Sequence, residues 1–117
     1  MKIGVTSQNL RTVTGHASKA RSFLVYEATT RDNLRAIAPL ELPMHLSMHA
    51  WDKQGEHPLL ELDYLLTGPC GRGFIQHMKK LGVRVRITNE TDPQLAVENL
   101  LARIIPPPRQ PGALLHQ

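Results

Sequence analysis

The sequence predicts an α/β domain on a mixed five-stranded sheet, in which an antiparallel hairpin is followed by two β-α units. Short β-rich runs separated by polar loops fill the first half, and strand-like and helix-like segments alternate in the second. The chain has 117 residues, of which 41% are apolar, which suits one domain with its own core. Since aromatic residues make up only 4%, we expect that core to be aliphatic.

The N-terminal half predicts three strands, the last two forming the hairpin: Lys2–Thr6, Arg21–Ala28 and Leu34–Leu42. Pro39 favours a position at the sheet edge for the end of the third strand. The polar stretch Ser7–Lys19 and the turn-rich stretch Thr29–Asn33 predict loops. Residues 43–57 are irregular and carry three of the six histidines.

The C-terminal half predicts two strands, each followed by a helix: Asp63–Thr67, Gly71–Leu81, Val83–Thr88 and a helix that begins at Pro93 after an Asp92 cap. The side chains expected to face the core are Phe74, Ile75, Met78 and Leu81 in the first helix, and Leu95, Ala96, Leu100 and Ile104 in the second. Gly82 predicts the stop of the first helix. The first and fourth strands are short and apolar, so we expect them to lie side by side.

Residues 1–104 are predicted to form one α/β domain, and residues 105–117 a Pro-rich flexible tail that could also be a docking peptide. The single cysteine, Cys70, excludes an internal disulfide and suits a reducing compartment. No apolar run approaches the length of a membrane span or a signal peptide. We therefore expect a cytoplasmic protein with no membrane partner.

The formal charge of +4 does not by itself indicate nucleic-acid binding. The basic residues are scattered, and no aromatic residues are interleaved to stack bases. No nucleic-acid partner is therefore expected. Up to Arg21 the chain has four basic residues and no acidic one, so this region can attract a compact anion. The alternative is a mildly basic solvated surface.

The most informative segment is the turn between the fourth strand and the first helix. Gly68, Gly71 and Gly73 allow backbone N–H groups to approach a ligand, and Arg72 adds a fixed positive charge. Cys70 lies where the helix terminus favours a thiolate, a soft donor for iron, copper or zinc. The alternative is a turn whose glycines only shape the backbone and whose cysteine only fills space.

Histidines in loops are the second set of candidate metal ligands. His45 and His49 are four residues apart, His57 follows them, and His16 lies in the loop after the first strand. Imidazole binds zinc, iron and copper, although no established zinc-binding motif is present. The alternative is that each histidine is a surface or capping residue.

Enzyme classes are poorly supported by the residues. The first strand has no acidic residue, and Asp63 stands at the start of the fourth strand, away from the expected ligand end. The nucleophile elbow Gly-x-Ser-x-Gly is missing. Cysteine catalysis by Cys70 with a loop histidine stays open. We expect a protein that is not an enzyme.

The chain resembles the dinitrogenase iron–molybdenum cofactor-binding family, which includes NifX, the core domain of NafY and the C-terminal domain of NifB. The resemblance extends over residues 1–104 and is carried by these segments: Met1–Ser7, Gly15–Ala20, Phe23–Glu27, Asp63–Gly68, Gly71–Gly82, Val83–Thr88 and Asp92–Arg103. It implies a ribonuclease-H-like three-layer fold without nuclease carboxylates. It also implies a carrier of iron–sulfur cofactor precursors in nitrogenase maturation, and therefore a link to nitrogen fixation.

Carried over by position, the resemblance places His16 and the Gly68–Gly73 turn against a transiently bound iron–sulfur or iron–molybdenum-type cluster. Our leading hypothesis adds Lys19, Arg21 and Arg72 for charge complementarity. The candidate metal ligands are Cys70, His16, His45, His49 and His57. The expected partners are a cofactor precursor and cofactor-biosynthesis or apo-acceptor proteins. The alternative is a metal-free interaction or regulatory module on the same fold, acting through the Pro-rich tail.

Overall fold

The computed structural model describes residues 1–30 and 33–105. Its five strands are β1 (Lys2–Thr6), β2 (Ser22–Ala28), β3 (Leu34–Glu41), β4 (Tyr64–Thr67) and β5 (Arg84–Ile87). Its helices are α1 (Arg72–Lys80) and α2 (Pro93–Ile104), with short 3-10 turns at Met44–Leu46 and Pro58–Glu61. The predicted tail falls almost wholly on residues 106–117, and the predicted turn partly on residues 31–32. Both lie outside the described residues.

The strands form one sheet in the order β3-β2-β1-β4-β5. β2 is antiparallel to β1 and β3, whereas β4 is parallel to β1 and β5. The predicted mixed sheet is confirmed, and so is the placement of β1 beside β4. Because β1, β4 and β5 run parallel to one another, their carboxyl ends lie at the same end of the sheet.

Two apolar clusters cover the two faces of the sheet and give the domain its three layers. On one face, α1 and residues 42–62 pack on Phe23, Val25, Leu65 and Val85. On the other, α2 packs on Ile3, Val5, Tyr26, Tyr64 and Leu66. The alternation of Leu65 and Leu66 between the clusters is the period of two expected for a strand buried on both faces. The three-layer α/β fold is therefore confirmed.

Helix α2 begins as predicted but buries a different set of leucines. The carboxylate of Asp92 accepts a hydrogen bond from the Leu95 N–H (3.1 Å), and Pro93 takes the first helical position. Leu95 itself is 42% exposed, so its assignment to the core was wrong. Val97 and Leu101 are buried instead, because the face toward the sheet follows residues 93, 96, 97, 100 and 101.

Helix α1 meets its prediction more closely. Met78 is fully buried, and Phe74, Ile75 and Leu81 pack partly buried against the same cluster. Gly82 follows with a φ of 92°, a left-handed conformation that glycine adopts without strain. Within the described residues, neither this helix nor α2 has the length and apolar character needed to cross a bilayer.

Candidate functional site

Three loops meet where β1, β4 and β5 end. The Thr14 N–H donates to the Thr6 carbonyl (2.8 Å), and the Gly68 N–H donates to the Thr14 carbonyl (2.9 Å). The His16 N–H donates to the Pro69 carbonyl (2.8 Å). A further bond joins the Val13 N–H to Thr91 beyond β5 (2.9 Å). We name residues 13–16 and 67–70 the glycine junction; their proximity agrees with the expectation from sequence.

Two glycines make this close contact possible. A Cβ atom on Gly15 would lie 2.8 Å from the Pro69 carbonyl oxygen, and one on Gly68 would lie 3.1 Å from the Gly15 nitrogen. A Cβ on Gly71 or Gly73 would meet no atom within 4 Å. Space between two backbones therefore explains Gly15 and Gly68, while Gly71 and Gly73 leave an open, exposed surface at the start of α1.

Three polar residues at the ends of β1 and β4, within or next to the glycine junction, are fully buried. Thr6, Ser7 and Thr67 each have no exposed surface. The Ser7 hydroxyl donates to the Thr12 carbonyl (2.6 Å), which orders the loop after β1. Among the described residues, none provides a hydrogen-bond partner for the Thr6 Oγ1 atom. An unpaired buried hydroxyl costs about 1–3 kcal/mol, so the junction carries a polar group that the fold does not use.

Cys70 lies in the junction, but its environment differs from the sequence expectation. It is half-buried and packs against the apolar cluster on the sheet face that α1 covers, which we call the α1-face cluster. The N-terminal cap of α1 is Gly71, the next residue. Burial raises the pKa of the Cys70 thiol, so the expected shift toward thiolate was in the wrong direction. The cause of this rise is desolvation, and Cys70 precedes the Gly71 cap instead of lying in the first turn of α1.

The histidine segment, residues 43–57, uses one of its histidines as a structural group. His57 is only 3% exposed and packs its ring at 4.9 Å from that of Trp51. Its Nδ1 atom accepts the Leu59 N–H (3.0 Å), and its Nε2 atom bonds to the Leu46 carbonyl. Both ring nitrogens are occupied by backbone groups, so His57 is not free to bind a metal in this structure.

The other loop histidines are exposed, and two of them lie near the same turn. His16 follows Gly15 with a φ of 56°. The backbone N–H of His49 donates to the Ser18 carbonyl (2.7 Å), two residues after His16. His45 instead lines a separate small pocket with Trp51. Of the histidine candidates, His16 and His49 are therefore brought to the turn that adjoins Cys70, while His45 and His57 are not.

The donor set is small, and exposed basic residues lie within a few residues of it in the chain. Within residues 1–30 and 33–105, no group of three or more His, Cys, Asp or Glu side chains is placed to hold a metal ion. The candidate ligands are thus not gathered into one metal centre. Lys19, Arg21 and Arg72 are exposed. In the same ranges the ion pairs are Lys2–Glu61 and Arg35–Glu27, so those three cations keep their charge available for an anion.

Sequence reasoning missed the buried hydroxyl of Thr6 and a pair of arginines on β5. Arg84 and Arg86 lie over the Tyr64 ring, at 5.9 and 5.6 Å from its centroid. The alternation of arginine with valine and isoleucine in β5 predicts a strand, but it does not indicate that both arginines lie over one aromatic ring. Nothing local in the sequence marks the Thr6 hydroxyl as unpaired.

Comparison with known proteins identifies fold relatives. No family model matches the chain, and no curated protein matches it at a significant level. The crystal structure of PH0822 has a TM-score of 0.65 and 16% identity, and the match covers 90% of this chain and 93% of that one. The NMR structure of a Thermotoga protein, named as a candidate NifB protein of the DUF35 family, has a TM-score of 0.54, 20% identity and 85% coverage of each chain. These identities show a shared fold.

Proposed function

We propose that this protein binds an iron–sulfur-type metal cofactor, or its precursor, at the glycine junction and passes it to an acceptor protein. The cluster is cargo rather than a resident cofactor. In this proposal His16 and Cys70 supply the protein ligands, with His49 as a third candidate from the adjoining segment. Lys19, Arg21 and Arg72 balance the negative charge of the cluster.

The observation that carries the proposal is the glycine junction itself. Backbone groups of two loops satisfy each other there, which leaves the His16 imidazole exposed beside the turn that holds Cys70. A backbone that is already ordered by these hydrogen bonds loses little conformational freedom when cargo binds. Few protein ligands also suit delivery, because each additional metal–ligand bond must break before the cargo can leave.

The fold relatives add a second line of support. The Thermotoga neighbour is described as a candidate NifB protein, and the segments quoted above resemble the iron–molybdenum cofactor-binding family. We propose that this chain is a distant member of that family. Its cargo would then be an iron–sulfur or iron–molybdenum-type cluster used in nitrogenase maturation, and its partners would be biosynthetic or acceptor proteins in the cytoplasm.

A carrier role agrees better than an enzyme with the chemistry of the site. Asp63 lies at the amino end of β4, where its carboxylate accepts the Lys2 N–H (2.8 Å). It is therefore held away from the junction. We therefore propose binding and transfer without a covalent reaction on the protein.

Anaerobic reconstitution with iron and sulfide tests the proposal. We expect a visible absorption band and bound iron on the parent protein after desalting. His16→Asn removes the imidazole while keeping a residue that tolerates a positive φ, and Cys70→Ala removes the thiol with little change in volume. Each should weaken cluster retention about tenfold, a change of roughly 1.4 kcal/mol in binding free energy.

His45→Asn is the matched control, since His45 is an exposed histidine outside the junction. It should retain as much iron as the parent. Equal retention by all three variants would reject the ligand assignment. Failure of the parent to retain iron, either from iron and sulfide or from an isolated cofactor precursor, would reject the carrier function.

A further inference from the structure

The two edges of the sheet are protected to different degrees. The pairing of β3 with β2 has a register shift between Phe23 and Val25, and Pro39 lies opposite that shift. Proline and bulges hinder the addition of another strand at an edge. β5 has no proline and pairs residue for residue with β4. The β5 edge is therefore the one that can accept a further strand.

The backbone of β5 shows which groups are available. The Arg84 N–H donates to the Asp63 carbonyl (3.1 Å), and the Thr88 N–H donates to the Thr67 carbonyl (2.9 Å). In a parallel ladder alternate residues face the neighbouring strand, so the backbone groups of Val85 and Ile87 point away from β4. The Val85 carbonyl takes a hydrogen bond from the Arg86 guanidinium at 3.1 Å, and Arg86 could exchange this bond for one with a partner.

Most charged side chains along this edge are basic. Lys79, Arg84 and Arg86 line a groove of about 360 Å³ beside β5 together with Ile75 and Val85. Arg86 also lines a second groove of about 410 Å³, between the end of β5 and α2, which includes Arg103, the 51%-exposed Ile87 and one acidic residue, Glu90. Within the described ranges no carboxylate forms an ion pair with any of these four cations.

The Tyr64 ring holds two of these cations in place. Arg84 and Arg86 both lie over it, and an Arg84 guanidinium N–H donates to the Tyr64 hydroxyl (3.2 Å). Guanidinium groups fixed in this way lose less conformational freedom when they bind a carboxylate. The edge thus combines backbone groups that no described strand pairs with, preorganised positive charge and an exposed aliphatic side chain.

We propose that the β5 edge binds an extended acidic segment of a partner protein, which adds to the sheet as a sixth strand. Main-chain hydrogen bonds to Val85 and Ile87 would supply affinity, and carboxylates facing Arg84 and Arg86 would supply specificity. This inference does not depend on the cofactor proposal, because the edge and its cations lie on different residues from the candidate ligands.

The positive charge of the β5 edge favours an acidic partner segment over a second copy of this chain and over residues 106–117. A second copy of the chain paired through β5 would set the arginines of one strand beside those of the other, and like charges across a strand pair are destabilising. Residues 106–117 of the chain contain no acidic side chain, so they lack the complementary charge. An acidic strand from another protein satisfies both the backbone and the guanidinium groups.

The test titrates the ¹⁵N-labelled full-length chain with the peptide acetyl-Glu-Val-Glu-Val-Glu-Val-amide. We expect the largest amide shifts and the slowest hydrogen exchange at Val85 and Ile87, and weaker binding as salt is raised. The basic peptide acetyl-Lys-Val-Lys-Val-Lys-Val-amide should not bind. Equal binding of both peptides, or shifts centred outside β5, would overturn the proposal.

Two variants separate strand addition from simple charge attraction. Ile87→Pro deletes the outward N–H but no bond to β4, and should weaken binding about tenfold relative to Ile87→Val. Reversing Arg84 and Arg86 to glutamate should weaken binding of the acidic peptide by at least about tenfold, whereas Lys53→Glu should not. Thermal unfolding of each variant verifies that it is folded. If Ile87→Pro binds as well as Ile87→Val, or a single-stranded oligonucleotide binds more tightly than the peptide, no strand is added and the proposal is wrong.

Discussion

The glycine junction and the histidine segment illustrate two opposite uses of polar residues near one end of the sheet. In the junction, backbone groups pair with each other and leave the His16 side chain exposed. In the histidine segment, the His57 side chain is buried and pairs with backbone groups. The ring of His57 is thus occupied, whereas His16 in the junction and His49 in the histidine segment have exposed side chains. What a histidine can do is thus determined by whether its ring nitrogens are already bonded.

The largest expected effect is on the histidine segment. His57→Ala deletes a buried ring and leaves the Leu59 N–H and the Leu46 carbonyl without their partner. We expect the free energy of unfolding to fall by about 3 kcal/mol. Urea denaturation measures the change, with the exposed His45→Ala as a control that should stay within about 0.5 kcal/mol of the parent. Similar stabilities for both variants would contradict a structural role for His57.

The second prediction concerns the spacing in the junction. Gly15→Ala places a Cβ 2.8 Å from the Pro69 carbonyl oxygen, a backbone atom that cannot move alone. The free energy of unfolding should fall by about 2 kcal/mol. Gly73→Ala is the matched control: its Cβ meets no atom within 4 Å and lies in α1, so it should raise stability by up to about 1 kcal/mol. A neutral Gly15→Ala would mean that the two loops are not in close contact.

A smaller effect is expected from the unused hydroxyl beneath the junction. Thr6→Val replaces a buried hydroxyl that has no partner among the described residues with a methyl group. It should raise the free energy of unfolding by about 1 kcal/mol in the absence of cargo. Thermal unfolding checks this result, and Thr67→Val is the comparison, because its hydroxyl donates to the Thr14 carbonyl (3.4 Å) and its removal should not stabilise. A destabilised Thr6→Val protein would show that the hydroxyl is paired in solution.

The smallest expected effect concerns the Cys70 thiol. Because burial raises its pKa, iodoacetamide at neutral pH should alkylate it about threefold or more slowly in the folded protein than in urea. The folded pKa lies above the unfolded one, so the stability that the protonated thiol contributes is present below the unfolded pKa. It is lost as the pH rises through the folded pKa. Cys70→Ala should remove that alkaline decline, and faster alkylation in the folded state would contradict the assigned environment.

The sequence was sufficient for the order of the elements because local signals agree with the fold. β1 has the predicted bounds, and Asp92-Pro93 and Gly82 mark helix ends through their own backbone chemistry. The meeting of the loops after β1 and β4 followed from strand adjacency, which short apolar strands indicated. These features depend on neighbours in sequence or on a single topological choice.

The incorrect predictions concern features that depend on contacts between residues far apart in the sequence. The identity of the leucines that α2 buries depends on how the helix is rotated on the sheet, which placed Leu101 inside and Leu95 outside. Whether the His57 ring is free depends on its contacts with Leu46 and Trp51. The pKa of the Cys70 thiol depends on its burial against the α1-face cluster. Spacing in the sequence contains none of this information.

The central claim is that cargo binds at the glycine junction, and paramagnetic broadening of ¹⁵N-labelled amide signals tests it most directly. After reconstitution with iron and sulfide under anaerobic conditions, we predict loss of the signals of Gly15, His16, Cys70 and Gly71. Signals of residues 51–57, around the bonded His57, should persist. Broadening centred on residues 51–57, or the same spectrum with and without iron, would contradict the claim.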